Sequence, residues 1–354
     1  MASKVDDMEY VDLIEELGYS HLWVADSQML WSDCYAVMAL AAARTTRLKI
    51  GTGVAVAGTR PAAVTAAAHA TINQIAPGRV FCAVGTGNTA MRIMGHRPIG
   101  VGEFDEYLGT VRSLLDGDEA LVNWRGQTAP ARHLMPDSGF VAFSPRIPLY
   151  VSAFGPKSTA VAARHGDGLI VSVPPQPAAV AGVRQRFRAA AQEAGRDLDE
   201  EIGGPMMLST LTTMVVLEDG EAPDSSRVRH ECGAFAIAAV HYAYEQWRQY
   251  GRRPPKMLLE FWDDYCALME QTPEDRRHLR IHAGHNCWVE PEEERFVTGE
   301  LIEATCLVGT AANLAQRIRD LEAAGLTQIV LLPPLEAKER VLRSVAEQVM
   351  ALLG

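Results

Sequence analysis

Apolar positions along this chain follow two alternating rhythms. Short runs rich in branched and aromatic side chains occupy residues 21–25, 48–56, 79–84, 148–151, 167–172, 206–217 and 327–332. Between them, apolar positions recur every three to four residues. The first rhythm predicts strands and the second helices. Helix signals sit where the pattern needs them. Gly18 follows a helix at 5–17 as a C-cap glycine, Asp33 caps one running to Arg44, and Pro61 opens one reaching Ile75. Further helices are expected at 101–115, from Pro156 to Arg164, at 176–193 and at 335–353, with a polar, proline-bearing connection through Pro130, Pro136 and Pro145.

Strands separated by helices imply a parallel sheet covered by helices, which a doubly wound sheet and a barrel both satisfy. About seven strand–helix units, with no amino-terminal glycine-rich dinucleotide fingerprint, favour an α/β barrel of the TIM-type (β/α)8 kind. One segment breaks the alternation. Residues 220–297 are rich in charge and aromatics and carry helical patterns at 230–250 and 256–270, joined at Gly251-Arg-Arg-Pro-Pro255. We read this segment as a helical excursion between the last two strands of a single domain spanning 1–354, without an obvious core of its own. Such an insertion serves specificity, or else covers apolar surface or a subunit contact.

Composition narrows the classes. Of 354 residues, 48% are hydrophobic and 22% charged, as in folded globular proteins, and the net charge of -11 disfavours a nucleic-acid partner. No apolar stretch reaches the roughly 18 residues of a membrane span, and the first residues show no signal pattern, so no membrane partner and a cytoplasmic location are expected. Six cysteines without paired spacing (Cys34, Cys82, Cys232, Cys266, Cys287, Cys306) read as free thiols, mostly buried.

In a parallel barrel the residues just after each strand line the ligand mouth. Asp26, Ser27 and Trp31 follow the first run, Asp26 as an acid at the mouth or a turn cap, Trp31 as an apolar wall or packing. Gly51, Thr52, Gly53 and Val54 combine β-branching with glycines that permit a close approach. Gly85, Thr86, Gly87, Asn88 and Thr89 form a glycine-rich turn into a helix, suited to a phosphate, and Ser152 with Gly155, Pro156, Lys157 and Ser158 forms a second. Each turn is also explained as a tight strand-to-helix connection. His278, His282 and His285, spaced by four and three, could align on one helix face. No acid lies between them and Gly284 interrupts the helix, so no metal is assigned; His282 or His285 is instead a candidate proton carrier. Trp288, with Tyr242, Trp247, Phe261 and Trp262, suggests a planar or apolar small-molecule substrate, or packing.

Several blocks, in order, resemble the luciferase-like superfamily, and within it the deazaflavin-dependent oxidoreductases that include methylenetetrahydromethanopterin reductase. They are Leu22-Trp-Val-Ala-Asp-Ser27, Leu48-Lys-Ile-Gly-Thr-Gly-Val54, Thr59-Arg-Pro-Ala62, Thr71-Ile-Asn-Gln-Ile-Ala-Pro-Gly-Arg79, Gly85-Thr-Gly-Asn-Thr-Ala90, Ser152-Ala-Phe-Gly-Pro-Lys157, Ala163-Arg-His-Gly-Asp-Gly168, Val308-Gly-Thr310 and Ala324-Gly-Leu-Thr-Gln-Ile-Val330. The resemblance implies a barrel that binds coenzyme F420 (8-hydroxy-5-deazaflavin), alternatively FMN, across the strand ends. Asp26 would lie near the ring, the stretch from Gly51 to Val54, often with a strained or cis peptide, would back it, and the two glycine turns would hold the phosphate. Lys157, Arg60 or Arg92 would meet an acidic tail. The family is usually dimeric, and a monooxygenase of this family would need a separate reductase to supply reduced flavin. This chain departs from the family at its start, where only Met1 to Lys4 precede the first helix. The usual first strand, with an acid placed for proton transfer, is missing, so either the native chain starts upstream or another segment covers the gap. The readings are therefore hydride transfer between F420 and a small substrate, FMN-dependent monooxygenation, or a barrel that has lost its site.

Overall fold

The computed structural model describes residues 4–202 and 206–354. Seven parallel strands run in one sheet: His21–Val24, Lys49–Thr52, Val80–Gly85, Leu149–Ser152, Gly168–Val171, Met207–Thr212 and Gln328–Leu331, each paired with the next in sequence. The sheet curls into a nearly closed luciferase-like TIM-type barrel. Its two unpaired edges are the His21–Val24 and Gln328–Leu331 strands, and among the described residues no strand lies between them, as the sequence analysis expects for a barrel without the family's first strand. Trp23 spans the opening by donating its indole N–H to Gln328 Oε1 at 3.0 Å.

Side chains alternate across the strands with the period of two that a pleated sheet imposes. Leu22, Val24, Ile50, Cys82, Val84, Leu149, Val151 and Leu169 pack outward against the helices. Trp23, Phe81, Ala83, Tyr150, Ile170 and Val330 fill the interior. There the Trp23 and Phe81 rings lie 4.6 Å apart and those of Phe81 and Tyr150 5.6 Å apart, contacts worth about 0.5–1.5 kcal/mol each beyond their burial.

Two family-like blocks hold the floor of the barrel rather than its mouth. Asn73 reaches the carbonyls of Ala142 and Pro145 and accepts from Gly78 N–H, while Arg79 donates to the Ala42 and Leu48 carbonyls and to Thr45. Asp167 is buried and accepts from Arg146 and from Leu149 N–H.

Several expectations are corrected. The proline-bearing connection contains an antiparallel hairpin, Ala120–Trp124 with Gln127–Ala131, which tolerates Pro130 because neither strand belongs to the barrel sheet. The 48–56 run divides into Lys49–Thr52 and Ala55–Val56 around a cis Gly53–Val54 peptide bond. The 206–217 run divides too. Its second part, Met214–Val216, pairs with Leu307–Gly309, a strand that apolar runs did not reveal because it is only three residues long. The helix expected from residue 230 begins at Ser226, since Ser225 caps it by accepting from Val228 N–H. The expected second long helix reduces to Trp262–Glu270 after a single turn at Lys256–Leu258. The excursion does possess a core: Val228, Cys232, Phe235, Tyr244, Trp262, Tyr265 and Phe296 pack together, because the Ser226–Tyr250 helix turns its apolar stripe toward its own neighbours. All six cysteines are buried and unpaired. Among the described residues, no helix is long and apolar enough to cross a membrane.

Gly51 faces the interior where Phe81 crosses it. An added Cβ would lie 2.3 Å from the Phe81 carbonyl oxygen, a backbone atom that cannot move aside cheaply. Gly51→Ala should therefore cost about 1–3 kcal/mol, read as a lowered urea midpoint; an unchanged midpoint would show that the Phe81 strand yields.

Candidate functional site

Parallel register brings the candidate residues to one rim. Val24 pairs with Thr52 and Val84 with Val151, so the loops after these strands emerge at the same end of the sheet. Asp26, 5% exposed, turns back beneath this rim: its Oδ2 accepts from Val56 N–H at 3.1 Å and from Arg60 Nη1 at 2.5 Å. Arg60 also pairs with Asp33 at 2.8 Å and lies over the Tyr35 ring. Burial disfavours its charge, but the hydrogen bond and charge of Asp26 outweigh that and raise its pKa. Asp26 is thus a mouth residue whose one oxygen is committed to fixing the loop after Thr52. Ser27 begins the next loop, where Leu30 and Trp31 N–H bond back to its carbonyl.

Glycines allow the rim elements to touch. A Cβ on Gly53 would meet Trp23 Cβ at 2.9 Å, and one on Gly85 would meet Val54 at 2.8 Å and Ser152 Cβ at 3.4 Å. Gly87 takes the left-handed conformation, φ 85°, with Val56 2.5 Å from where its Cβ would be. Thr86, Asn88 and Thr89 follow into the short Asn88–Arg92 helix, where Asn88 Oδ1 accepts from Arg92 Nε. Thr52 is not available to a ligand. Its hydroxyl exchanges hydrogen bonds with the Ala83 backbone and faces His69 at 3.3 Å.

The second turn follows the adjacent strand. Gly155 caps the Pro156–His165 helix, and Ser158 Oγ closes on the Gly155 N–H and carbonyl at 3.1 and 3.0 Å, so this hydroxyl is engaged in capping. Lys157 is exposed and makes no ion pair among the described residues. Arg60 and Arg92, the other cations considered for a tail, are both committed to carboxylates.

The excursion folds over the Asn88–Arg92 side of this rim. Thr89 Oγ1 lies 2.8 Å from the Tyr242 hydroxyl, whose pKa burial pushes up to about 12. Trp31 donates to Cys287 Sγ at 3.3 Å and lies beside the His285 ring. Trp288, by contrast, is 54% exposed and bonded to Glu290, not joined to Trp31. The histidine alignment expected from spacing does not form. The Arg277–Ile281 helix ends before His282, and Gly284 at φ 68° and Asn286 at φ 55° turn the chain sharply. His278 departs toward Gly95, and His241 from the long helix takes its place beside His282 and His285.

This chain matches the luciferase-like monooxygenase family over residues 5–328. It belongs to that family. The luciferase-like barrel is 24% identical to the 5,10-methylenetetrahydromethanopterin reductase of Archaeoglobus fulgidus, across 92% of this chain and 89% of that one. In structure it resembles the coenzyme F420-dependent tetrahydromethanopterin reductase from Methanopyrus kandleri, with TM-score 0.70, 19% identity and coverage of 99% and 97%. It also resembles the oxygenating constituent of 3,6-diketocamphane monooxygenase from Pseudomonas putida, solved with FMN, with TM-score 0.59, 14% identity and coverage of 97% and 91%. The chain is therefore an enzyme of a flavin- and deazaflavin-dependent oxidoreductase superfamily.

Sequence reasoning missed His241, Glu245 and Glu293, and took Tyr242 as an aromatic suggesting an apolar substrate or packing rather than as a polar partner of Thr89. One signal was present: His241 and Glu245 stand four apart on one helix, hence on one face.

His69, fully buried behind Thr52 and bonded to the Thr65 carbonyl at 2.8 Å, has its pKa lowered by burial to about 4. The unfolded chain binds a proton there near pH 6.5, so between those values it holds more protons than the fold. Stability should fall as pH drops from about 6.5 to about 4, by up to about 3 kcal/mol for this group. His69→Gln should flatten the slope of urea midpoint against pH in that window; an unaltered slope would remove His69 as its source.

Proposed function

We propose that the luciferase-like barrel catalyses hydride transfer between coenzyme F420 and a small organic substrate. One observation carries the reading. Two glycine turns, Gly85–Thr89 and Gly155–Ser158, leave the ends of adjacent paired strands with first-turn amides at the same rim, beside the cis-linked Gly53 and Val54, where Trp23 leaves no room for a Cβ on Gly53. That cradle fits a planar ring with a phosphate-bearing chain. Gly53, Val54 and the Asp26–Val56 hydrogen bond would support the ring; the amides of Gly87, Asn88, Lys157 and Ser158 would hold the phosphate. When bound, the deazaflavin supplies the hydride-accepting or hydride-donating carbon, as cofactors in general supply the chemistry and proteins the alignment.

The protein's own contribution is then position and dryness. Trp31 and the excursion would close one side of the site, and Lys157, unpaired and exposed, would meet an acidic tail. Similarity to the F420-using reductases supports the choice of deazaflavin, and similarity to an FMN-bound monooxygenase supports FMN as the second reading. A homodimer and a cytoplasmic location accompany either reading as expectations of the family.

Titration of the purified protein with F420 and with FMN, each followed by fluorescence, separates the two. Tighter binding of F420 supports hydride transfer, and tighter binding of FMN moves the assignment to oxygen-using chemistry. Failure of both at micromolar concentration would count against a working cofactor site. Lys157→Ala should weaken F420 binding about 10-fold, most at low salt, and leave FMN nearly unaffected. Gly85→Val, whose side chain must displace Val54 or Ser152, should weaken both.

A further inference from the structure

The polar cluster inside the excursion is buried more completely than packing requires. His241, His282, His285, Glu245 and Glu293 are each no more than 7% exposed, and Glu293 is wholly enclosed. One ring nitrogen from each histidine lies within 4.8 Å of the other two. On each ring Nε2 is occupied. His241 Nε2 lies 3.1 Å from Glu293 Oε1, His282 Nε2 lies 2.9 Å from Glu245 Oε1, and His285 Nε2 lies 2.9 Å from the Asn286 carboxamide. What remains on each ring is Nδ1. Those of His282 and His285 face one another at 3.5 Å, and that of His241 has no hydrogen-bond partner although fully buried.

We propose that His241, His282 and His285 bind a divalent transition metal of the zinc class through their Nδ1 atoms, with water completing the coordination. Two nitrogens on a tetrahedral zinc at about 2.0–2.1 Å stand roughly 3.4 Å apart, close to the His282–His285 separation. The carboxylates of Glu293 and Glu245, aimed at the far nitrogens of two ligands, are the outer partners that fix a metal-binding histidine's tautomer. A half-turn of the Asn286 amide would bring its orphaned, buried oxygen to His285 Nε2 and complete the pattern for the third. The charge balance agrees: Glu245 faces Arg92 at 3.3 Å as well as His282, whereas Glu293 faces His241, so a bound cation would offset the second carboxylate.

From sequence no metal is assigned to His278, His282 and His285, since no acid lies between them and Gly284 interrupts their helix. The structure substitutes His241, from another helix, for His278. The metal would pin the 282–286 turn to the Ser226–Tyr250 helix, and through Tyr242 and His285 to Thr89 at the rim. This inference stands independently of which cofactor the barrel binds.

The test uses the full chain, stripped with a chelator and titrated with Co2+ and then Zn2+. One Co2+ per chain, the intense visible absorption of tetrahedral cobalt, its displacement by Zn2+ and a raised melting temperature are expected. Glu293→Gln, which keeps the shape of the pocket, should weaken Zn2+ about 10–100-fold. His241→Gln should abolish the tetrahedral spectrum. If the histidine variant fails to fold, the wild-type and Glu293→Gln titrations decide. Cobalt absorbing as in water, no stoichiometric zinc after dialysis, or equal affinity in wild type and Glu293→Gln would overturn the site.

Discussion

Between Gly51 and Phe81 there is no room for a side chain, and the interior of the barrel is arranged around that contact. The Phe81 ring can lie over the bare backbone of the Gly51 strand and meet Trp23 on its far side and Tyr150 on the other neighbouring strand, so the interior is filled across four consecutive strands. The same shortage of space recurs along the rim, where Gly53 meets Trp23, Gly85 meets Val54, and Gly87 meets Val56. Each glycine removes a Cβ where another element must pass. The strand ends can therefore close directly against the side chains of Trp23, Val54 and Val56.

Around this rim the charged groups hold the loops in place. Asp26, read from sequence as a mouth acid or a turn cap, is buried against Arg60 and Val56 N–H, and Arg60 continues to Asp33, which caps the next helix. A buried carboxylate of this kind needs its cation, since an unpaired charge away from water costs several kcal/mol, roughly 3–5 when one partner is removed. Arg79, Asn73 and Asp167 do the same at the opposite end. Motifs that carried the family resemblance therefore divide into two groups: those that shape the rim at the strand ends and those that close the barrel beneath it.

The open edge is a second organising feature. A parallel barrel short of one strand exposes backbone donors and acceptors on both sides of the gap, which invites pairing with another segment. Trp23 and Gln328 bridge the opening from inside, and the first helix is tied to the last part of the chain by Tyr19 on the Leu342 carbonyl and by the Lys338–Asp7 ion pair. The excursion closes the rim elsewhere, with its own apolar core and a polar seam through Thr89, Tyr242 and His285.

What the chain determined by itself is the alternation. Strand runs near residues 21, 49, 80, 149, 168 and 328, the caps at Asp33 and Pro61, and the 101–115 helix emerge as read, because period, capping and turn chemistry are local properties of consecutive residues. Glycine-rich strand ends were legible for the same reason. The Ala120–Trp124 hairpin and Leu307–Gly309 were not, being too short or too polar to stand out. Only the tertiary structure decided which polar groups meet. Asp26 finds Arg60 across 34 residues, Thr89 finds Tyr242 across 153, and His241 replaces His278 beside His282 because a helix ends one residue early and two left-handed residues turn the chain. Spacing along one element fixes neighbours on that element. Partners from different elements depend on how helices and strands pack, and that is set by the whole core.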